Sequence, residues 1–137
     1  MEQATWENTE PFVPEFTTGK VIKVYDGDSV TVAAVVTGKI YRFSVRLVGI
    51  DTPELRSSNP VEKTRAKHVQ QQLHDLIFDK YVTARILDND KYGGRVLGDL
   101  WTKDGLHVNK YMLDSGFAVP YHGATKRTWT NEMLGSM

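Results

Sequence analysis

Between positions 40 and 48 apolar and polar residues alternate. Tyr41, Phe43, Val45 and Leu47 fall on one side of an extended chain, and Arg42, Ser44 and Arg46 on the other, because side chains alternate across a strand. This is the best strand signal in the sequence, and it sets Arg46 opposite a core-facing row. Two earlier segments, Gly19 to Tyr25 and Ser29 to Val36, are rich in β-forming residues. Asp26-Gly27-Asp28 separates them as a turn, and Thr37-Gly38-Lys39 supplies the next. After position 59 the period changes. Ala66, Val69, Leu73, Leu76 and Ile77 recur at helical spacing. Asn59 suits the cap, Pro60 the first helical position, and Glu62 falls three after the cap. This helix is predicted to run to about Asp79.

Two more strands follow, Tyr81 to Leu87 and Arg95 to Trp101, with a polar, glycine-containing turn from Asp88 to Gly94 between them. A short helix is predicted from Asn109 to Ser115, capped by Asn109 and ended by Gly116. The segment His122 to Met137 has room for a last helical turn or two. Three strands, a helix, two strands and one or two short helices suit a five-stranded OB-fold barrel, an α+β and mainly β architecture with two or three helices. A mixed α+β sandwich is the alternative. Pro11 and Pro14 break regular structure near the start. Residues 1–18 are therefore expected to form a loosely docked arm and residues 19–137 a single domain.

Composition narrows the chemistry. The 137 residues are 40% hydrophobic and 25% charged, an ordinary globular balance. There is no cysteine, so a metal could be held only by oxygen or imidazole. No apolar run approaches the ~20 residues of a membrane span, and no membrane association is expected. Met1 to Phe16 hold glutamates but no Lys or Arg and no apolar stretch. An intracellular location is expected unless a leader has been removed. Formal net charge is zero. That argues against a long basic nucleic-acid surface and leaves room for a compact phosphate site built on two or three cations.

Two acidic clusters flank the first three strands: Asp26-Gly27-Asp28, and Asp51-Thr52-Pro53-Glu54 directly after the strand bearing Arg46. Oxygen ligands of this kind favour hard cations such as Ca²⁺ or Mg²⁺. If a barrel joins the two strand ends, Asp28 and Asp51 would share one cation, helped by the Thr52 carbonyl. Glu54 would then orient or deprotonate the attacking water. Phosphodiester cleavage also needs cations where charge gathers on the phosphoryl oxygens. Arg46 and Arg95 suit this, since a guanidinium forks onto two oxygens and keeps its charge. Lys91 and Tyr92, in the turn before Arg95, could touch a flanking phosphate or base.

Each piece also has an ordinary reading as a turn, a capped loop or a surface ion pair. His68 and His74, six apart on a helix, point to different sides and do not share a metal. Tyr41, Phe43 and Trp101 read as core rather than as base-stacking platforms, and Trp129 as an anchor for the tail.

Taken together, Val24-Tyr25-Asp26-Gly27-Asp28-Ser29-Val30, Arg46-Leu47-Val48-Gly49-Ile50-Asp51-Thr52-Pro53-Glu54 and Asp90-Lys91-Tyr92-Gly93-Gly94-Arg95 resemble the staphylococcal nuclease (thermonuclease) family, over roughly Gly19 to Tyr121. The resemblance implies an OB-fold barrel with three helices. It implies Ca²⁺-dependent cleavage of DNA and RNA with little sequence preference, by a monomer. By motif, Asp28 and Asp51 resemble the carboxylate metal ligands, with Thr52 ligating through its carbonyl and Asp26 standing behind them. Glu54 resembles the general base, and Arg46 and Arg95 the pair that binds the scissile phosphate. Lys91, Tyr92 and Tyr121 resemble nucleotide contacts.

The sequence departs from the family pattern in places. A second glycine, Gly94, separates Gly93 from Arg95. One added residue turns an arginine to the other face of a strand, unless a bulge absorbs it. Ser29 stands where a threonine is common. The helix after Glu54 also arrives early, shortening the loop beside the site. The competing readings are a non-catalytic OB-fold module that binds nucleic acid without cutting it, and an enzyme slowed by the Gly94 insertion.

Overall fold

The computed structural model describes residues 1–10, 12–13, 16–89, 95–121 and 129–135. Strands β1 (Thr18–Asp26), β2 (Ser29–Val36) and β3 (Lys39–Leu47) form a meander. A two-residue strand β4 (Ile50–Asp51) follows, then helix α1 (Pro60–Ile77). Strands β5 (Tyr81–Asn89) and β6 (Val96–Thr102), helix α2 (Val108–Asp114), a short β7 (Val119–Pro120) and helix α3 (Asn131–Gly135) complete the order. Five strands close into a barrel in the order β1-β2-β3-β6-β5, with β5 returning to β1. All the pairings are antiparallel except β3 with β6. This is the OB-fold expected from the pattern of elements.

The core explains why these segments pair. Val21, Val24, Val30, Val32, Val45, Leu47 and Leu100 point inward from the strands and are buried. Helix α1 lays Val69, Leu73 and Ile77 against them. Each such side chain contributes about 1.5–3 kcal/mol on burial. Phe16, just ahead of β1, is also buried and stacks on Phe43 with centroids 5.0 Å apart.

Several expectations need correction. Tyr41 is 45% exposed, because the β2–β3 hairpin projects past the part of the barrel that other elements cover. The short β4–β7 pair, Ile50 with Pro120 and Asp51 with Val119, had no pattern long enough to predict it. Asn109 does not cap α2. The cap position is His107, and the buried Asn109 amide ties three backbone groups: it donates to Val48 O (2.9 Å) and Gly98 O (3.2 Å) and accepts from Leu100 N (3.2 Å). Asn59 does cap α1, accepting from Val61 N at 3.0 Å. Gly116, with φ +77°, ends α2 as expected.

Candidate active site

The site lies where β1 turns into β2 and β3 leaves for β4. Ser29 and Arg46 are directly opposed across the β2–β3 ladder, so both project on one face of the sheet. Leu47 N donates to Asp28 O at 2.7 Å, which seats the Asp26-Gly27-Asp28 turn on the end of β3. Gly49, with φ +81°, then reverses the chain into β4, a conformation that glycine adopts without strain. As a result Asp51 comes back toward the strand that carries Arg46.

Two carboxylates converge on one guanidinium. Arg46 Nη1 lies 3.5 Å from Asp28 Oδ2, and Nη2 lies 3.9 Å from Asp51 Oδ1. The Arg46 side chain is itself half-buried and donates to the carbonyls of Leu47 (3.1 Å) and Ile50 (3.0 Å). Asp28 is 7% and Asp51 4% exposed. Buried charges persist only when compensated, and Arg46 supplies that compensation. Thr52 is buried beside them. A Cβ at Gly27 would come 3.0 Å from Thr52 Oγ1 and 2.5 Å from Val69 Cγ1. Glycine is therefore what lets the acidic turn press against Thr52 and α1.

Arg95, immediately before β6, reaches the same cluster. Its Nη1 donates to Ser29 Oγ at 3.2 Å, and Ser29 Oγ donates to Asp28 Oδ1 at 3.2 Å. The added glycine has not turned Arg95 away, because Arg95 lies outside β6 and is not bound by strand alternation. The Arg46 guanidinium also sits 5.1 Å from the centre of the Tyr121 ring. The β4–β7 pair delivers that ring, with Tyr121 N donating to Gly49 O at 2.9 Å. Lys91 and Tyr92 lie outside the described residues.

Asp26 stands behind Asp28. Its Oδ1 accepts from Asp28 N at 3.1 Å. Burial, then the neighbouring Asp28 charge and a hydrogen bond between the two carboxyls, and more weakly the Glu54 charge, push the Asp26 carboxyl up to about 8. The Asp28 amide acts in the opposite sense and is outweighed. At neutral pH the metal-free site thus holds an extra proton among crowded acids.

One residue of consequence was read only as part of a helix start. Glu62 is 7% exposed and does not reach back to the Asn59 amide. Its Oε2 accepts from Glu54 N at 2.8 Å and its Oε1 accepts from Ser57 Oγ at 2.9 Å. Ser57 Oγ in turn accepts from Asn59 N at 3.1 Å, and Asn59 Nδ2 donates to Asn131 Oδ1 on α3 at 3.0 Å. The Glu54–Asn59 loop is thereby anchored to α1 and α3. The spacing from Asn59 flagged Glu62 for a reach of three residues; its partner lies eight residues upstream, beyond what a capping pattern encodes.

A divalent cation suits this arrangement. The donors are oxygen only, and two carboxylates plus a carbonyl leave positions for water or a substrate oxygen, the usual habit of Mg²⁺ and an accepted one for Ca²⁺. Among the described residues no group of three His, Asp or Glu side chains gathers at metal-binding range. A site here would therefore rest on Asp28 and Asp51.

In sequence the chain is similar to proteins named as nucleases. A family profile described as "Staphylococcal nuclease homologue" matches residues 44–136. An uncharacterized endonuclease of Escherichia coli is 34% identical over 103 residues, covering 75% of this chain and 60% of the relative. A staphylococcal-like nuclease of Arabidopsis thaliana is 33% identical over 95 residues, 66% of this chain and 27% of the relative. A probable endonuclease of Schizosaccharomyces pombe is 33% identical over 89 residues, 59% of this chain and 37% of the relative. The chain thus spans less than two thirds of the length of these curated relatives.

Proposed function

The chain belongs to the family of staphylococcal nuclease homologues, and from that premise we propose that it is a divalent-metal-dependent nuclease. It hydrolyses phosphodiester bonds of DNA, RNA or both with little sequence preference. The observation that carries this reading is the convergence of Asp28 and Asp51 on Arg46, with Arg95 linked to Asp28 through Ser29.

Asp28, Asp51 and the Thr52 carbonyl hold the cation, with Ca²⁺ the expected ion and Mg²⁺ the alternative. When bound, the cation neutralises phosphoryl charge and lowers the pKa of nearby water. Glu54, at the head of the anchored loop, takes the proton of the attacking water. Arg46, from β3, and Arg95, just ahead of β6, clamp the scissile phosphate, where their charge counts most as negative charge builds. The Tyr121 ring, against the Arg46 guanidinium, shields that arginine and contacts the nucleotide; by motif, Lys91 and Tyr92 are assigned further nucleotide contacts. No helix among the described residues is long and apolar enough to cross a membrane.

The test is cleavage of single-stranded DNA, duplex DNA and RNA with Ca²⁺, with Mg²⁺ and with chelator, comparing wild type with Asp28→Ala and Glu54→Gln. Metal-dependent cleavage that both substitutions depress by orders of magnitude is expected. A folded wild type that binds the strand but never cuts it, with any metal, would replace this reading with the non-catalytic OB-fold module.

A further inference from the structure

Tyr25 belongs to the motif around the acidic turn, yet the site described above leaves it without a task. It is 47% exposed, and cations hold it from two sides. Arg56 Nη2 donates to Tyr25 Oη at 3.1 Å, and Lys23 Nζ lies 5.6 Å from the ring centre. Some surface cations have acidic partners: Lys20 pairs with Asp79, Arg85 with Asp99, Lys110 with Asp114. Among the described residues neither Lys23 nor Arg56 has one. In a chain of zero net charge, two cations left together beside an exposed ring make a local positive patch.

The place of this patch matters. Tyr25 directly precedes Asp26, and Arg56 follows Glu54 by two residues. The Arg56–Tyr25 hydrogen bond therefore links the two segments that carry Asp28 and Glu54. Tyr25 and Asp28 are three positions apart, at most ~11 Å of chain, a span of a few nucleotides at ~3.4 Å rise. The Tyr25 backbone is fixed as well, since Gln70 Nε2 from α1 donates to the carbonyls of Val24 (3.2 Å) and Tyr25 (2.9 Å). A rigid backbone, an exposed ring and flanking cations are what a strand-binding platform uses: the base stacks on the ring and the phosphates meet the cations.

We propose that Tyr25, Lys23 and Arg56 form a subsite for single-stranded nucleic acid flanking the cleaved bond. The inference rests on the nuclease reading for its biological sense, but its chemistry is strand binding and is measurable without turnover. Single strands are preferred because a base must be free of its own stack to lie on Tyr25.

The experiment is fluorescence anisotropy of a labelled oligothymidylate and of a duplex of equal length, in chelator, with the strand checked intact afterwards. Tyr25→Ala should weaken single-strand binding by roughly 5- to 150-fold, the range for one stacked base. Tyr25→Phe should bind like wild type, since the ring survives. Arg56→Ala and Lys23→Ala should each lower the slope of log affinity against log salt by about 0.7. Duplex binding should change little with Tyr25→Ala. All three side chains replaced are exposed, so unchanged melting temperatures are expected to accompany these effects. Wild-type affinity in Tyr25→Ala and Arg56→Ala would overturn the proposal. So would equal losses for Tyr25→Phe and Tyr25→Ala, or for duplex and single strand. A wild type inactive with every metal that still binds the strand through Tyr25 defeats the nuclease reading alone. An active wild type indifferent to Tyr25 defeats the subsite alone.

Discussion

Replacing Glu62 by alanine tests whether the Glu54 loop is held in place from α1. The buried Glu62 carboxylate accepts two hydrogen bonds, from Glu54 N at 2.8 Å and Ser57 Oγ at 2.9 Å. Bonds to a charged acceptor contribute about 1.5–3 kcal/mol each. The loop is partly exposed, so water replaces some of what is lost, and a joint loss of about 2–4 kcal/mol is reasonable. If that energy holds the loop where Glu54 can act, 2 kcal/mol alone reduces the competent fraction roughly 30-fold. The expected result is a fall of about 30-fold or more in kcat. Ca²⁺ affinity by calorimetry should stay within a few-fold, because Asp28 and Asp51 are held by strands and not by this loop. Glu62→Gln should recover most of the rate: its amide oxygen still accepts from Glu54 N, and the Ser57 hydroxyl can turn to accept from the new amide. The decisive comparison is made in the Glu54→Gln background. If Glu62 acts through Glu54, adding Glu62→Ala there slows the enzyme little further. A further loss as large as in wild type, or an unchanged kcat in Glu62→Ala alone, refutes the reasoning.

Other perturbations probe the neighbouring contacts. Gly27→Ala places a Cβ against Val69 and Thr52 and should destabilise the fold by about 1–3 kcal/mol, read by urea unfolding, and weaken Ca²⁺ binding, read by calorimetry; wild-type values in both would show that the turn yields. Ser29→Ala removes the hydroxyl joining Arg95 to Asp28 and should slow cleavage about tenfold, a hydrogen bond to a charged group being lost, while strand affinity measured in chelator changes less. Asp26 gains a proton on folding, since its carboxyl sits near 8 in the native state against 3.8 as the ordinary value. Native protein then binds more protons between those values, so metal-free stability should fall as pH rises from about 4 to about 8; melting temperatures in chelator should show this slope in wild type and a shallower one in Asp26→Asn, and equal slopes would remove Asp26 as the cause. Arg46→Lys keeps one charge but cannot fork onto two oxygens, and should lose most of the rate without the stability loss expected when Arg46→Ala leaves two buried carboxylates uncompensated.

What the chain discloses before folding is set by the range over which each signal acts. The β2 strand, the α1 cap at Asn59 and the inward row of α1 were legible because period and capping are local. Arg46 could be set opposite the core row from alternation alone, and the structure puts it there, beside Ser29. Contacts between distant segments were not legible in the same way. Nothing near Glu62 in sequence says that its carboxylate meets an amide eight residues upstream. Nothing near Asn109 says that its amide ties Val48, Gly98 and Leu100 together. In both cases local rules assigned a capping role to a side chain that a tertiary partner had already claimed. Arg95 shows the converse. Strand periodicity raised the prospect that an added glycine would turn it away, yet its backbone precedes β6 and its side chain is long enough to reach Ser29 from there. The candidate site is therefore readable as a set of residue types at recurring spacings, while the side chains that hold those residues in position are supplied by the fold. That division has a practical consequence. Substitutions at Asp28, Asp51 or Glu54 test which groups act, whereas those at Glu62, Gly27 and Ser29 test how they are held. Only the second set can separate a site that is present from one that is correctly aligned.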